Sequence, residues 1–142
     1  DLLMTEVEPR FRCVLCKRGM LMMAAVHADQ RNIPAIITGD NLGQVATQTL
    51  QNMVTISSAV TVPIIRPIIG YDKEEIIALA RRIGTFANDP GDTSCGVVPP
   101  RPATAADQRI MVLMEEKNHV HNLIDSLMKS SERITALNGE IL

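Results

Sequence analysis

The sequence predicts an α/β fold: a parallel sheet flanked by helices and followed by a helical C-terminus. Two apolar, Ile-rich runs carry the prediction, PAIIT at residues 34–38 and VPIIRPIIG at 62–70. Each runs into a Gly/Asp turn and then a helical pattern, and strand–helix units in this order build a parallel sheet. The 142 residues are 46% hydrophobic and 21% charged with a formal charge of -2, the balance of a globular domain with one core.

The elements follow in order. Residues 5–12 are polar, contain Pro9 and read as a loop. Residues 14–30 are rich in strong helix formers, with Leu15, Met22 and Val26 at helical spacing, which puts Cys13 and Cys16 at a helix start. After the first strand, Gly39-Asp40-Asn41 supplies turn and capping chemistry and LGQVATQTLQNM continues as a helix. After the second strand, Asp72 with Glu75 forms a capping box for residues 72–84, with Ile76, Ile77, Leu79, Ala80 and Ile83 as the apolar face and Gly84 as the stop. Residues 85–104 hold Gly91, Gly96, Pro90, Pro99, Pro100 and Pro102 and read as a long loop carrying Cys95. An amphipathic pattern from Ala105 to about Leu137 predicts one or two further helices. Two strands are too few for a stable sheet, so the sheet needs more chain or a partner, a second copy being one choice.

Composition narrows the function. Aromatic residues make up 2% and Trp is absent, so bases have no stacking platform. The slight net acidity argues against a surface that is basic throughout, and any polynucleotide contact is local. No run reaches the ~20 apolar residues of a membrane span. An odd count of three cysteines, two of them in Cys13-Val14-Leu15-Cys16, is the usage of a cytosolic protein that keeps thiols for metals or catalysis.

Four features carry chemistry. Cys13 and Cys16 lie three residues apart at a helix start, where the helix dipole with Arg12, Lys17 and Arg18 is expected to lower their pKa values. They read as a redox or metal pair, or as half-buried structural residues. Cys95, in a Gly/Pro loop, suits a nucleophile, a persulfide carrier or a cluster ligand. Gly39-Asp40-Asn41-Leu42-Gly43-Gln44 sits where open α/β sheets bind ligands and is equally an ordinary strand-to-helix turn. Lys73, a cation in the first turn of its helix, is either solvated or anion-binding. His119, His121 and the run Glu115-Glu116-Lys117 read as solvated.

GDNLGQVATQTLQNM, RPIIGYDKEEIIALARRIGT and SCGVVPPRPAT occur in this order, and together they resemble the tRNA 4-thiouridine synthetases, tRNA sulfurtransferases also named for thiamine biosynthesis. The resemblance implies that residues 1–104 are the C-terminal half of a PP-loop ATPase domain, Rossmann-like and of the adenine nucleotide alpha hydrolase type. Residues 105–142 are then a helical extension. It implies that ATP adenylates O4 of a tRNA uridine and that a sulfur nucleophile displaces AMP. Gly39, Gln48 and Lys17 match nucleotide-binding positions, Lys73 a lysine needed for activity, and Cys95 the catalytic cysteine. The C-x-x-C resembles a methanogen-type branch, in which Cys13, Cys16 and Cys95 together hold a 3Fe–4S or 4Fe–4S cluster. The family's SGGxDS phosphate loop and its RNA-holding regions do not occur in the 142 residues. The chain is therefore expected to be a fragment or half of a split enzyme, to meet tRNA through other domains or a second subunit, and to leave the sulfur donor open. The alternative is a non-catalytic, degenerate PP-loop module that binds a partner through its sheet edge or C-terminal helix.

Overall fold

A computed structural model of the chain describes residues 2–43, 45, 47–86, 95–132, 134, 136–137 and 140–141. A one-turn helix, α1 (Leu2–Thr5), and a 3-10 turn at Pro9–Phe11 lead into the long helix α2 (Arg12–Gln30). The run of Leu, Met, Ala, Lys and Arg favours this helix throughout. It stops where Asn32 takes φ 55 and the Ile33 amide donates to the Ala28 carbonyl at 2.8 Å, a left-handed exit that Asn tolerates.

The two Ile pairs form the sheet. β1 (Ile36–Ile37) and β2 (Ile64–Ile65) run parallel, Ile36 opposite Ile64 and Ile37 opposite Ile65. The helix α3 (Leu50–Ser57) lies between them in sequence. Ile36 and Ile64 are half-buried, whereas Ile37 and Ile65 are 70% and 49% exposed. Alternation along a strand sends neighbours to opposite faces, so the described residues cover one face of this sheet.

After β2 comes α4 (Lys73–Arg82), closed by the expected capping box: the Glu75 amide donates to Asp72 Oδ1 at 2.9 Å and the Asp72 amide to Glu75 Oε2 at 2.8 Å. It ends at Gly84, φ 75, a backbone angle that favours glycine. None of its residues is buried; the apolar face of Ile76, Ile77, Leu79 and Ala80 is half-covered and Ile83 is exposed.

The C-terminal pattern resolves into α5 (Gln108–Lys117) and α6 (Val120–Lys129), separated by His119 in the left-handed region. His119 and His121 are exposed, as expected. The helical reading stops at Lys129. Ala136–Leu137 and Glu140–Ile141 form a short antiparallel ladder, β3 and β4, in place of continued helix.

The core is built on α2. Val14, Leu15 and Leu21 pack with Val7, Phe11, Ile56, Ala106 and Met111, while Met22 packs with Val120 and Ile124 of α6. Two further expectations need correction. The helix drawn over residues 42–53 begins only at Leu50. Gly43 turns with φ 77, its amide donates to the Gln48 carbonyl at 3.0 Å, and Thr49 Oγ1 caps α3 by accepting from the Asn52 amide at 3.1 Å. Glu115, expected to be solvated, is 3% exposed and pairs with Arg18, 1% exposed, through Nε–Oε1 at 2.5 Å and Nη2–Oε2 at 2.9 Å. Arg18 also donates to the Thr55 carbonyl and to Ser58 Oγ, so one guanidinium joins α2, α3 and α5.

Candidate active site

The first turn of α2 presents Cys13 and Cys16 on one side, three residues apart. Both are half-buried, and Cys95 is exposed. All three line a single cavity of about 510 Å³, together with Lys17, Met20, Val45, Thr47, Val97, Val98, Pro99, Pro100 and Pro102. Between Cys16 and Cys95 lie 78 residues of chain, so what brings them together is the anchoring of the Cys95 segment.

That anchor is Asn52, 0% exposed. Its Nδ2 donates to the carbonyls of Thr47 at 3.1 Å and Ala103 at 2.7 Å, and its Oδ1 accepts from the Ala106 amide at 2.9 Å. Thr49 Oγ1 donates to the Thr104 carbonyl and Thr55 Oγ1 to the Ala106 carbonyl, while the Ala103 amide donates to the Arg10 carbonyl at 2.8 Å. The proline-rich segment is thus tied to α3 and to the entrance of α2. Sequence reasoning missed Asn52. The available signal was an amide in the first turns of a helix on its inward face, where Asn has a poor intrinsic preference.

The thiols do not behave as the helix start suggested. Burial raises the Cys13 pKa, the charges of Cys95 and Cys16 raise it further, and Lys17 offsets only part. Cys16 is raised by burial and by Cys95, again with Lys17 opposing. The two arginines expected to help face elsewhere. Arg12 turns back to the Met4 carbonyl at 2.9 Å, and Arg18 is spent on Glu115. Desolvation of a thiolate therefore outweighs the dipole and one lysine. In the metal-free chain at neutral pH, exposed Cys95 is expected to react first with iodoacetamide, and Cys13 and Cys16 only as pH rises well into the alkaline range. Peptide mass spectrometry across a pH series checks the order; equal rates at pH 7 would contradict it.

A second cavity, of about 390 Å³, opens at the carboxyl end of β1 and is lined by Thr38, Gly39, Asp40, Ile36, Ile37 and residues of α2 that include Lys17 and Met20. The space around Gly39 is open where a Cβ would stand. Asp40 sits between two cations: Lys17 Nζ lies 3.2 Å from Oδ1 and Arg66 Nε 3.2 Å from Oδ2, with Thr38 Oγ1 donating to Oδ2 at 3.0 Å. Burial pushes its carboxyl pKa up, but Lys17 and the hydrogen bonds from Lys17, Thr38 and Arg66 win, and the net shift is downward. A carboxyl depressed in the folded state contributes stability that is present above the unfolded value of about 4 and lost as pH falls through the folded value. Urea midpoints of the wild type are therefore expected to fall below pH 4 more steeply than those of Asp40→Asn.

Gln48 and Lys73 are not among the residues lining either cavity. The Gln48 Oε1 is buried without a hydrogen-bond partner among the described residues. Lys73 is exposed at the start of α4 and carries no ion pair among them. Asn41 ties the loop after β1 to the turn between β2 and α4: Nδ2 donates to the Ile68 carbonyl at 2.9 Å and to that of Tyr71, and the Leu42 amide donates to the Ile69 carbonyl at 3.0 Å. Gln44 of the GDNLGQ motif and Asp92, Thr93 and Ser94 before Cys95 lie outside the described residues. Among the described residues no group of three or more His, Cys, Asp or Glu stands at metal-ligand spacing, and no helix is long and apolar enough to cross a membrane.

The chain is 38% identical over 136 residues to a "Probable tRNA sulfurtransferase" of Thermus thermophilus, covering 94% of this chain and 34% of the relative. It is 42% identical over 108 residues to the protein of the same name in Methanocaldococcus jannaschii, covering 75% and 28%. A solved structure described as a 4-thiouridine synthetase–RNA complex with bound ATP superposes with a TM-score of 0.83 at 32% identity, over 90% of this chain and 34% of that one. The chain thus spans about a third of the length of the proteins it matches, and it shares their α/β fold. A family model described as thiamine biosynthesis protein (ThiI) matches residues 1–120, and with these relatives it shows that the chain belongs to the ThiI family.

Proposed function

We propose that the chain forms part of an enzyme that uses ATP to convert a uridine of tRNA into 4-thiouridine, working in the cytoplasm. The observation that carries this reading is a shared wall: Lys17 and Met20 line both the Gly39 cavity and the cavity of the three cysteines. A two-step transfer needs an activation site and a sulfur site side by side, with water excluded from both.

In the first step uridine O4 attacks the α-phosphorus of ATP and pyrophosphate leaves. Gly39 and Lys17 hold the nucleotide; Gln48 and Lys73, whose nucleotide and activity roles rest on the family resemblance, lie outside the lining of this cavity and act on the nucleotide only if the rest of the enzyme brings it to them. In the second, a persulfide on Cys95 attacks C4 and AMP departs with O4. The thiolate of Cys13 or Cys16 then attacks the Cys95 sulfur. The S–S bond breaks, C4=S remains on the uridine, and a protein disulfide is left for an external dithiol to reduce. Residues 1–104 carry this site as the C-terminal half of a PP-loop domain, and α5 of the following segment braces it from the core.

An iron–sulfur cluster on Cys13, Cys16 and Cys95 is the other sulfur carrier the family resemblance implies. The donors are right in kind, three soft thiols on one cavity, but as placed they do not stand at ligand spacing, and no step above depends on it. Iron and acid-labile sulfide retained after anaerobic reconstitution, and lost in Cys95→Ser, would favour the cluster over the persulfide.

The test combines this chain with the complementary part of a tRNA sulfurtransferase, unmodified tRNA, ATP, a low-molecular-weight persulfide that hands its outer sulfur to Cys95 and leaves as a thiol, and a dithiol reductant, and reads 4-thiouridine by its near-ultraviolet absorbance. Product is expected from the combination and not from the chain alone. A combination that assembles yet makes none would leave the non-catalytic module as the better reading.

A further inference from the structure

Asp40 gathers the cations at the end of β1. Arg66 is the fixed one: 13% exposed, it donates through Nε to Asp40 and through Nη2 to Ser57 Oγ at 2.9 Å. Lys17 is the movable one, 30% exposed, a point charge on a four-carbon stem. Two cations on one carboxylate leave the group with a net positive charge, the sign an anionic ligand needs. The group also sits where open α/β sheets take ligands, outside the carboxyl ends of the strands.

We infer that Asp40 is a positioning residue: backed by Arg66, it holds the Lys17 ammonium on the wall between the two cavities, aimed at the phosphate of a nucleotide in the Gly39 cavity. This rests on the nucleotide reading of that cavity given above and adds to it. With the ammonium already held in place, an arriving phosphate need not order a free lysine side chain, which lowers the entropic cost of binding. The phosphate shares the ammonium with Asp40 rather than replacing it, because Arg66 keeps the carboxylate in place.

The test uses the chain combined with the complementary part of a tRNA sulfurtransferase. Lysines are acetylated at fixed pH with an N-hydroxysuccinimide ester, with and without excess ATP, and the modification of Lys17 is read against exposed Lys129 by peptide mass spectrometry. In the wild type Lys17 is expected to react about 2–5-fold more slowly than Lys129, the scale of a partly exposed ion pair, and ATP is expected to slow it further. Asp40→Asn should bring Lys17 to the Lys129 rate and remove most of the protection by ATP, and Asp40→Glu should restore both. Arg66→Lys keeps a cation behind the Asp40 carboxylate and should keep Lys17 slow; if it frees Lys17 as fully as Asp40→Asn does, loop collapse rather than positioning explains the effect and the proposal falls. Equal protection by ATP in wild type and Asp40→Asn overturns the positioning role alone. No protection in the wild type overturns the nucleotide reading along with it.

Discussion

Glu115→Ala is expected to cost about 3–5 kcal/mol of folding stability, the scale of breaking a buried ion pair. The carboxylate accepts two hydrogen bonds from Arg18 in surroundings where both residues are almost fully enclosed. Its removal leaves a guanidinium charge in the core with, among the described residues, the Thr55 carbonyl and Ser58 Oγ as its remaining partners. A domain of this size has about 5–15 kcal/mol in total, so the variant should be largely unfolded at modest urea concentrations. The double variant Arg18→Met/Glu115→Leu removes both charges and should recover most of the loss, because the pair's attraction mainly offsets its own desolvation. Urea unfolding followed by circular dichroism measures both; a single-variant cost below about 1 kcal/mol would mean that the pair is solvated.

Cys95→Ser should lower 4-thiouridine formation by about a thousandfold or more in the combined enzyme, the scale of removing a nucleophile. A serine oxygen cannot carry the transferable sulfur. Pyrophosphate release should continue at a similar rate, since the Gly39 cavity is left intact. The Cys13→Ser/Cys16→Ser variant is expected to stop one step later, as tRNA held on Cys95 through a disulfide that an external dithiol releases. Gel electrophoresis with and without reductant reads this, and a double variant that turns over like wild type would remove the pair from the sulfur relay.

The legible parts of the fold are those whose signals lie within a turn or two of chain. The Asp72/Glu75 box, the left-handed stop at Gly84, the helix former run of α2 and the paired isoleucines of β1 and β2 each depend on near neighbours, and each appears where the pattern puts it. Even there a local rule failed when two local signals competed. The helical pattern over residues 42–53 yielded to Gly43 and to Thr49, which caps a later start.

The candidate site was legible in its residue types more than in its arrangement. Cys13, Cys16 and Cys95 could be named from the chain, and their common cavity could not, because it depends on Asn52 holding a segment more than fifty positions away. Glu115-Glu116-Lys117 has the composition of a solvated helix face, and only Arg18, 97 positions earlier, makes one of those glutamates a core residue.

By itself, then, the sequence determined the α/β alternation, the helix caps and the residues capable of the chemistry. These follow from backbone preference and short-range hydrogen bonding, which act within a few residues. The tertiary structure alone decided which side chains lose water and which charges they meet. That is why the C-x-x-C thiols, placed at a helix start among basic residues, have raised rather than lowered pKa values: Arg12 and Arg18 are drawn away to distant partners, and the cost of desolvating a thiolate exceeds what Lys17 returns.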